Sequence, residues 1–164
     1  MTETQREPVP RVDSGEKDTA LAFLRFARQC LVKKTEGLDD EQLRRVLVTS
    51  GTSLLGLVQH VTDGERYWFG HHVGGDPQWA DVDFGMEVPP DVPAEEVLAA
   101  FHEAVAASEE VMAGIDDLDM PLRVPVDGRP LSVRWVLAHT TSEVARHAGH
   151  ADILRELIDG VTGR

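Results

Sequence analysis

From Ser132 to Gly160 the chain carries one unbroken apolar pattern of helical period, with a capping serine at its start and a helix-stopping glycine at its end. Such a stripe needs partners to bury it, and three further patterns of the same period supply them. Ser14 is placed to cap a helix that presents Leu21, Leu24, Ala27, Leu31 and Val32 up to Gly37. Ser50 or Thr52 opens a second, with Leu54, Leu55, Val58, Val61 and Trp68 on one side, stopping near His71-His72-Val73-Gly74-Gly75. Pro93 in a first turn begins a third, through Val97, Leu98, Phe101, Val105 and Met112. Asp39 to Leu47 reads as a short extra turn. The stretch from Asp76 to Pro90 holds Trp79 and Phe84 but no period, and loops of that length often cover a site. Leu122 to Leu131 alternates around Asp127-Gly128, the signal of a short hairpin, while Pro125 and Pro130 confine it to an edge-type ribbon. There is no internal repeat. The expected fold is all-α, a four-helix bundle with long connections and a small β-hairpin before the last helix, spanning 14–164 after a flexible N-terminus over 1–13.

Composition bounds the function. With 41% hydrophobic and 27% charged residues in 164, this is ordinary globular material for about one domain. A formal net charge of -13, spread along the chain, argues against nucleic acid and anionic membranes as partners. No segment approaches the roughly 20 apolar residues of a membrane span. Met1 to Val12 has two prolines and no apolar run, so neither a signal peptide nor an anchor is expected, and the protein reads as cytoplasmic. The sequence has one cysteine, Cys30, which excludes an intramolecular disulfide; among Phe26, Ala27 and Leu31 it reads as a buried thiol.

The chemistry-bearing residues collect on the last helix. Glu143 and His147 stand one helical turn apart, so a carboxylate oxygen and a ring nitrogen share one face and can meet one ion. His60, in the middle of the second helix between Gly56 and Gly64, is the candidate third ligand; the two glycines cost helix propensity and leave room beside the imidazole. A histidine on a half-apolar face is also an ordinary hydrogen-bonded boundary residue, and Glu and His on long helices are often merely paired or solvated. His139, Glu143 and His147 form a stripe whose ends lie about 12 Å apart, too far for one ion. Spacing leaves 139 with 143, 143 with 147, and 147 with 150 all open.

A mid-helix histidine followed far downstream by Arg-His-Ala-Gly-His-Ala-Asp-Ile-Leu-Arg-Glu resembles the DinB-like (YfiT-like) metal-dependent superfamily. Within it the chain is most similar to the branch of mycothiol-dependent maleylpyruvate isomerase and the mycothiol S-transferases. The likeness runs from the first helix to Gly160 and is most specific at Trp135-Val136-Leu137-Ala138-His139 and at Glu143 to Glu156. Most of the superfamily holds its metal with three histidines, two of them four residues apart on the last helix, and here Glu143 takes the first of those places. The resemblance implies a metal site of His60, Glu143 and His147, most often zinc, with His150 beside the metal and not on it.

Three protein ligands leave an open position, and a cation there favours the thiolate form of an entering thiol. The expected partners are a small thiol, mycothiol, and an electrophile, with Arg146, His150, Asp152 and Arg155 near the thiol-sugar. Each of these charged residues also has a bland reading as an ion-paired surface group. The isomerases carry a further C-terminal domain and the chain ends at Arg164, so detoxifying S-transfer is expected over isomerisation. A metal-dependent hydrolase or a non-enzymatic metal-binding bundle is the alternative, and a homodimer is compatible with the sequence. Other site types fit less well. A di-iron bundle would use Glu-x-x-His pairs from several helices. No His-Glu-x-x-His helix, phosphate loop or Gly-x-Ser-x-Gly elbow occurs. His71 and His72 read as complements of a helix end, and Trp68, Trp79 and Trp135 as packing residues.

Overall fold

The structure is a computed structural model that describes residues 7–163. These residues are mostly helical, as α1 (Glu16–Lys33), α2 (Asp40–Arg44), α3 (Leu54–Glu65), α4 (Ala94–Ala113) and α5 (Val133–Asp159). α3 passes without a break into a π-helical segment, Arg66–Val73, and a single 3-10 turn follows at Pro77–Trp79. The first six residues of the expected flexible start lie outside the described residues. Residues 7–13 have no regular structure, yet Glu7 pairs with Lys33 at 2.6 Å.

Local chemistry sets the ends of these helices. The Ser132 side chain accepts the Trp135 N–H, and Gly160 turns left-handed, φ 76°, where a Cβ would be strained. Ser53 caps α3 by accepting the Gly56 N–H, whereas Ser50 and Thr52 hydrogen-bond each other at 2.9 Å. Ser14 does not cap α1; its hydroxyl donates to Asp18, and Gly15 holds the N-cap position. Asp39 and Gln42 close a capping box on α2. Pro93 stands one place before α4, at its N-cap.

α5 lies along α1, and α3 packs on both α4 and α5. Leu24 and Leu31 of α1, Leu55 and Val58 of α3, Phe101 and Met112 of α4, and Val136 and Ala151 of α5 form the buried core. Each large apolar side chain buried there contributes about 1.5–3 kcal/mol. Ion pairs cross the same core. Arg28 of α1 grips Glu65 at the end of α3 through Nε at 2.8 Å and Nη2 at 2.6 Å, both side chains being buried. Arg155 of α5 donates to the carbonyls of Lys34 and Glu36 just past α1, satisfying acceptors that a helix end leaves open.

The expected ribbon is reduced among the described residues to two isolated antiparallel bridges, Pro121 with Ser132 and Val126 with Arg129. Pro125 and Pro130 lack the N–H donors that a continuous ladder uses. Its tight turn is nonetheless formed, with φ of 47° at Asp127 and 74° at Gly128. The ribbon is tied to the π-helical segment, since His72 Nδ1 donates to the Val124 carbonyl at 2.7 Å and the Val124 N–H returns a bond to the His72 carbonyl. The long loop crosses α3 at Gly56, where a Cβ would collide with the Met86 carbonyl oxygen. That is the close approach for which the glycine leaves room.

Candidate metal centre

α3 and α5 bring His60, Glu143 and His147 together, with one donor atom from each lying within 4.8 Å of the others. His60 is aimed by the long loop. Its Nδ1 lies 2.8 Å from the Phe84 carbonyl oxygen. A carbonyl can only accept, so Nδ1 carries the proton and Nε2 the lone pair, the arrangement by which ligating histidines are commonly oriented. The His60 and His147 rings meet edge to face with centroids 4.7 Å apart. His147 Nε2 stands 3.6 Å from Glu143 Oε2, and its Nδ1 faces His150 Nδ1 at 3.4 Å. His150 thus lies behind His147, away from Glu143.

Burial, and next the neighbouring His60, push the His147 imidazole down to about 4, against the opposing pull of Glu143. A neutral ring keeps its lone pair available, and with a second imidazole and a carboxylate it makes a donor set suited to a zinc-sized divalent ion. The same shift predicts acid sensitivity. The unfolded chain takes up a proton at His147 below its ordinary value of 6.5, while the folded metal-free protein resists protonation until about pH 4. Stability is therefore fully present above pH 6.5 and is lost as pH falls toward 4, by at most about 3 kcal/mol for this group. Urea unfolding of metal-stripped protein at pH 7 and pH 5 checks this, and His147→Phe should flatten the difference.

The three residues line a cavity of about 320 Å³. Tyr67 and Trp68 of the π-helical segment and Phe84 of the long loop form its aromatic wall, while the ribbon turn contributes Val126 and Asp127. α5 adds His139 and Thr140, and the second glycine beside His60, Gly64, opens on the same space. π-helical turns often mark functional sites, and this one delivers two of the wall's rings. His139 is on the wall but outside the donor cluster, with its ring stacked on Trp135 at 4.8 Å and 11°.

The other residues singled out in the sequence lie elsewhere. Arg146 is exposed on α5. Asp152 pairs with Lys34 at 2.9 Å, and Arg155 reaches Asp159 and the carbonyls beyond α1. None of these, nor His150, lines the cavity. Sequence reasoning missed Tyr67, Asp127 and Thr140. Signals were present for two of them, since Asp-Gly marked a turn tip and Thr140 falls three residues before Glu143, on the same helical face.

Fold and site together define a helical protein with a His, Glu, His donor cluster lining a cavity. The sequence profile of the mycothiol-S-transferase family matches residues 19–160, and the chain belongs to that family. Membership implies a transferase that works with a small thiol, mycothiol. No curated protein matches the chain.

Proposed function

We propose that the protein is a metal-dependent mycothiol S-transferase acting in detoxification, with zinc the preferred ion at His60, Glu143 and His147. The observation that carries this reading is the three-donor cluster opening on a cavity in a chain of this family. A divalent ion held by two neutral imidazoles and a carboxylate would favour the thiolate form of an adjacent thiol, giving a nucleophile at neutral pH. The chain's own residues prepare that chemistry. The Phe84 carbonyl fixes the His60 tautomer, burial keeps His147 neutral, and Glu143 balances charge. We take α1, α3 with its π-helical extension, α4 and α5 as a four-helix bundle that holds both sides of the site. Arg146 and His150, on α5 beside His147, are assigned to the thiol-sugar. Asp152 and Arg155 support them by fixing α5 against the end of α1. No described helix is long and apolar enough to cross a membrane, and we place the reaction in the cytoplasm.

The test is thiol dependence. With an electrophile such as a bimane-type probe and metal-loaded protein, turnover should require a thiol. Mycothiol should outperform glutathione and cysteine at equal thiolate concentration, because a site shaped for a thiol-sugar gains orientation from the sugar. Turnover of a hydrolysable substrate with no thiol present would instead make the protein a hydrolase of this fold.

A further inference from the structure

The cavity wall carries groups that thiol activation leaves unused. Thr140 is buried, lines the cavity, and its Oγ1 is without a hydrogen-bond partner among the described residues. Threonines inside helices ordinarily bond the carbonyl one turn back, as Thr62 does to Val58 at 2.7 Å. A buried hydroxyl with no partner calls for a ligand or water to complete it. The rings of Tyr67, Trp68 and Phe84 line the same cavity, with Tyr67 and Phe84 edge to face at 5.1 Å. The charged residues of the wall are the acids Asp127 and Glu143, and among the described residues no lysine or arginine lines it.

We propose that this wall is the electrophile subsite, that it takes an uncharged, flat electrophile bearing a carbonyl-type acceptor, and that the Thr140 hydroxyl donates to that acceptor. The proposal rests on the transferase reading. The aromatic rings offer faces and edges to a flat π-system. With Glu143 committed to the ion, a carboxylate on this wall would face Asp127 and, among the described residues, no lysine or arginine, so an anionic electrophile is disfavoured by repulsion as well as by desolvation. Addition to an α,β-unsaturated ketone shows the step. The thiolate sulfur bonds to the β-carbon, the carbon–carbon π pair shifts, and negative charge gathers on the carbonyl oxygen. Thr140 stabilises that oxygen by hydrogen bonding from a preorganised position. The α-carbon then takes from solvent a proton equivalent to the one the thiol released. No leaving group departs and nothing is oxidised or reduced.

Benzylideneacetone and cinnamate test this, since they share ring and double bond and differ in a methyl ketone against a carboxylate. Binding is read by tryptophan quenching in metal-stripped, thiol-free protein, where Trp68 reports from the wall. The ketone should bind about 10-fold tighter than cinnamate, and Thr140→Val should weaken the ketone about 5-fold or more while leaving the protein no less heat-stable. Thr140→Ser should restore ketone binding. Cinnamate binding as tightly as the ketone, absence of ketone binding, or a ketone affinity that Thr140→Val leaves untouched overturns the proposal. Because thiol and metal are both absent, a failure to transfer thiol would sink the transferase reading without altering this binding comparison, and the reverse holds equally.

Discussion

Alanine at position 147 is expected to remove nearly all bound metal from the purified protein, with a loss of affinity above the roughly 100-fold that changing an outer partner of a metal site causes at most. His147 is the buried member of the donor cluster, and its environment keeps the ring neutral. His139→Ala should retain about one ion per chain, because His139 stacks on Trp135 and stands outside the cluster. Glu143→Gln keeps the shape and removes the charge, so it should weaken retention without disturbing α5. Metal analysis after dialysis, with helicity followed by circular dichroism, separates these outcomes. Equal loss from His139→Ala and His147→Ala would show that the metal uses another pair on the stripe.

The largest effect on stability is expected away from the site. Glu65→Ala would leave the buried Arg28 guanidinium without the carboxylate that takes its Nε and Nη2 hydrogens. Removing one partner of a buried pair costs about 3–5 kcal/mol, a large share of the 5–15 kcal/mol that holds a domain together. Glu109, 3.7 Å from Arg28 Nη1 and partly exposed, already serves Arg25 and cannot replace Glu65 at the same atoms. The double variant Arg28→Met, Glu65→Leu should recover most of the loss, since it removes both charges and fills much of the same volume. Urea midpoints at unchanged m-value measure both effects.

Much of this was legible in the chain. Ser132 and Gly160 marked α5 because a cap and a left-handed stop act within one turn of sequence. The start of α3 was harder, since Ser50, Thr52 and Ser53 can all accept a backbone N–H and only packing selects Ser53. The π-helical segment was invisible because an apolar stripe does not distinguish an α-turn from a wider one over a few residues. The Asp127-Gly128 turn was readable from its φ demands, while the ladder beside it was not, because ribbon pairing depends on what the segment docks against. At the site, Glu143 and His147 were visible as neighbours on one helix. Their meeting with His60 is tertiary; the glycines beside His60 made it a candidate, and the resemblance singled out this set among the open pairs. The bonds that Arg155 makes to carbonyls beyond α1 were not legible, because no local pattern reveals such a partner.

On the proposed mechanism, metal at His60, Glu143 and His147 makes the transferring thiol reactive. The most direct test is a titration of metal-stripped protein with zinc while initial rates of mycothiol transfer to a bimane-type probe are followed at fixed pH. The rate should rise in proportion to occupancy and level off at about one ion per chain, with His147→Ala remaining at the stripped-protein level throughout. A stripped protein that transfers mycothiol as fast as the loaded one, or a His147→Ala variant that follows the wild-type titration, would contradict this mechanism.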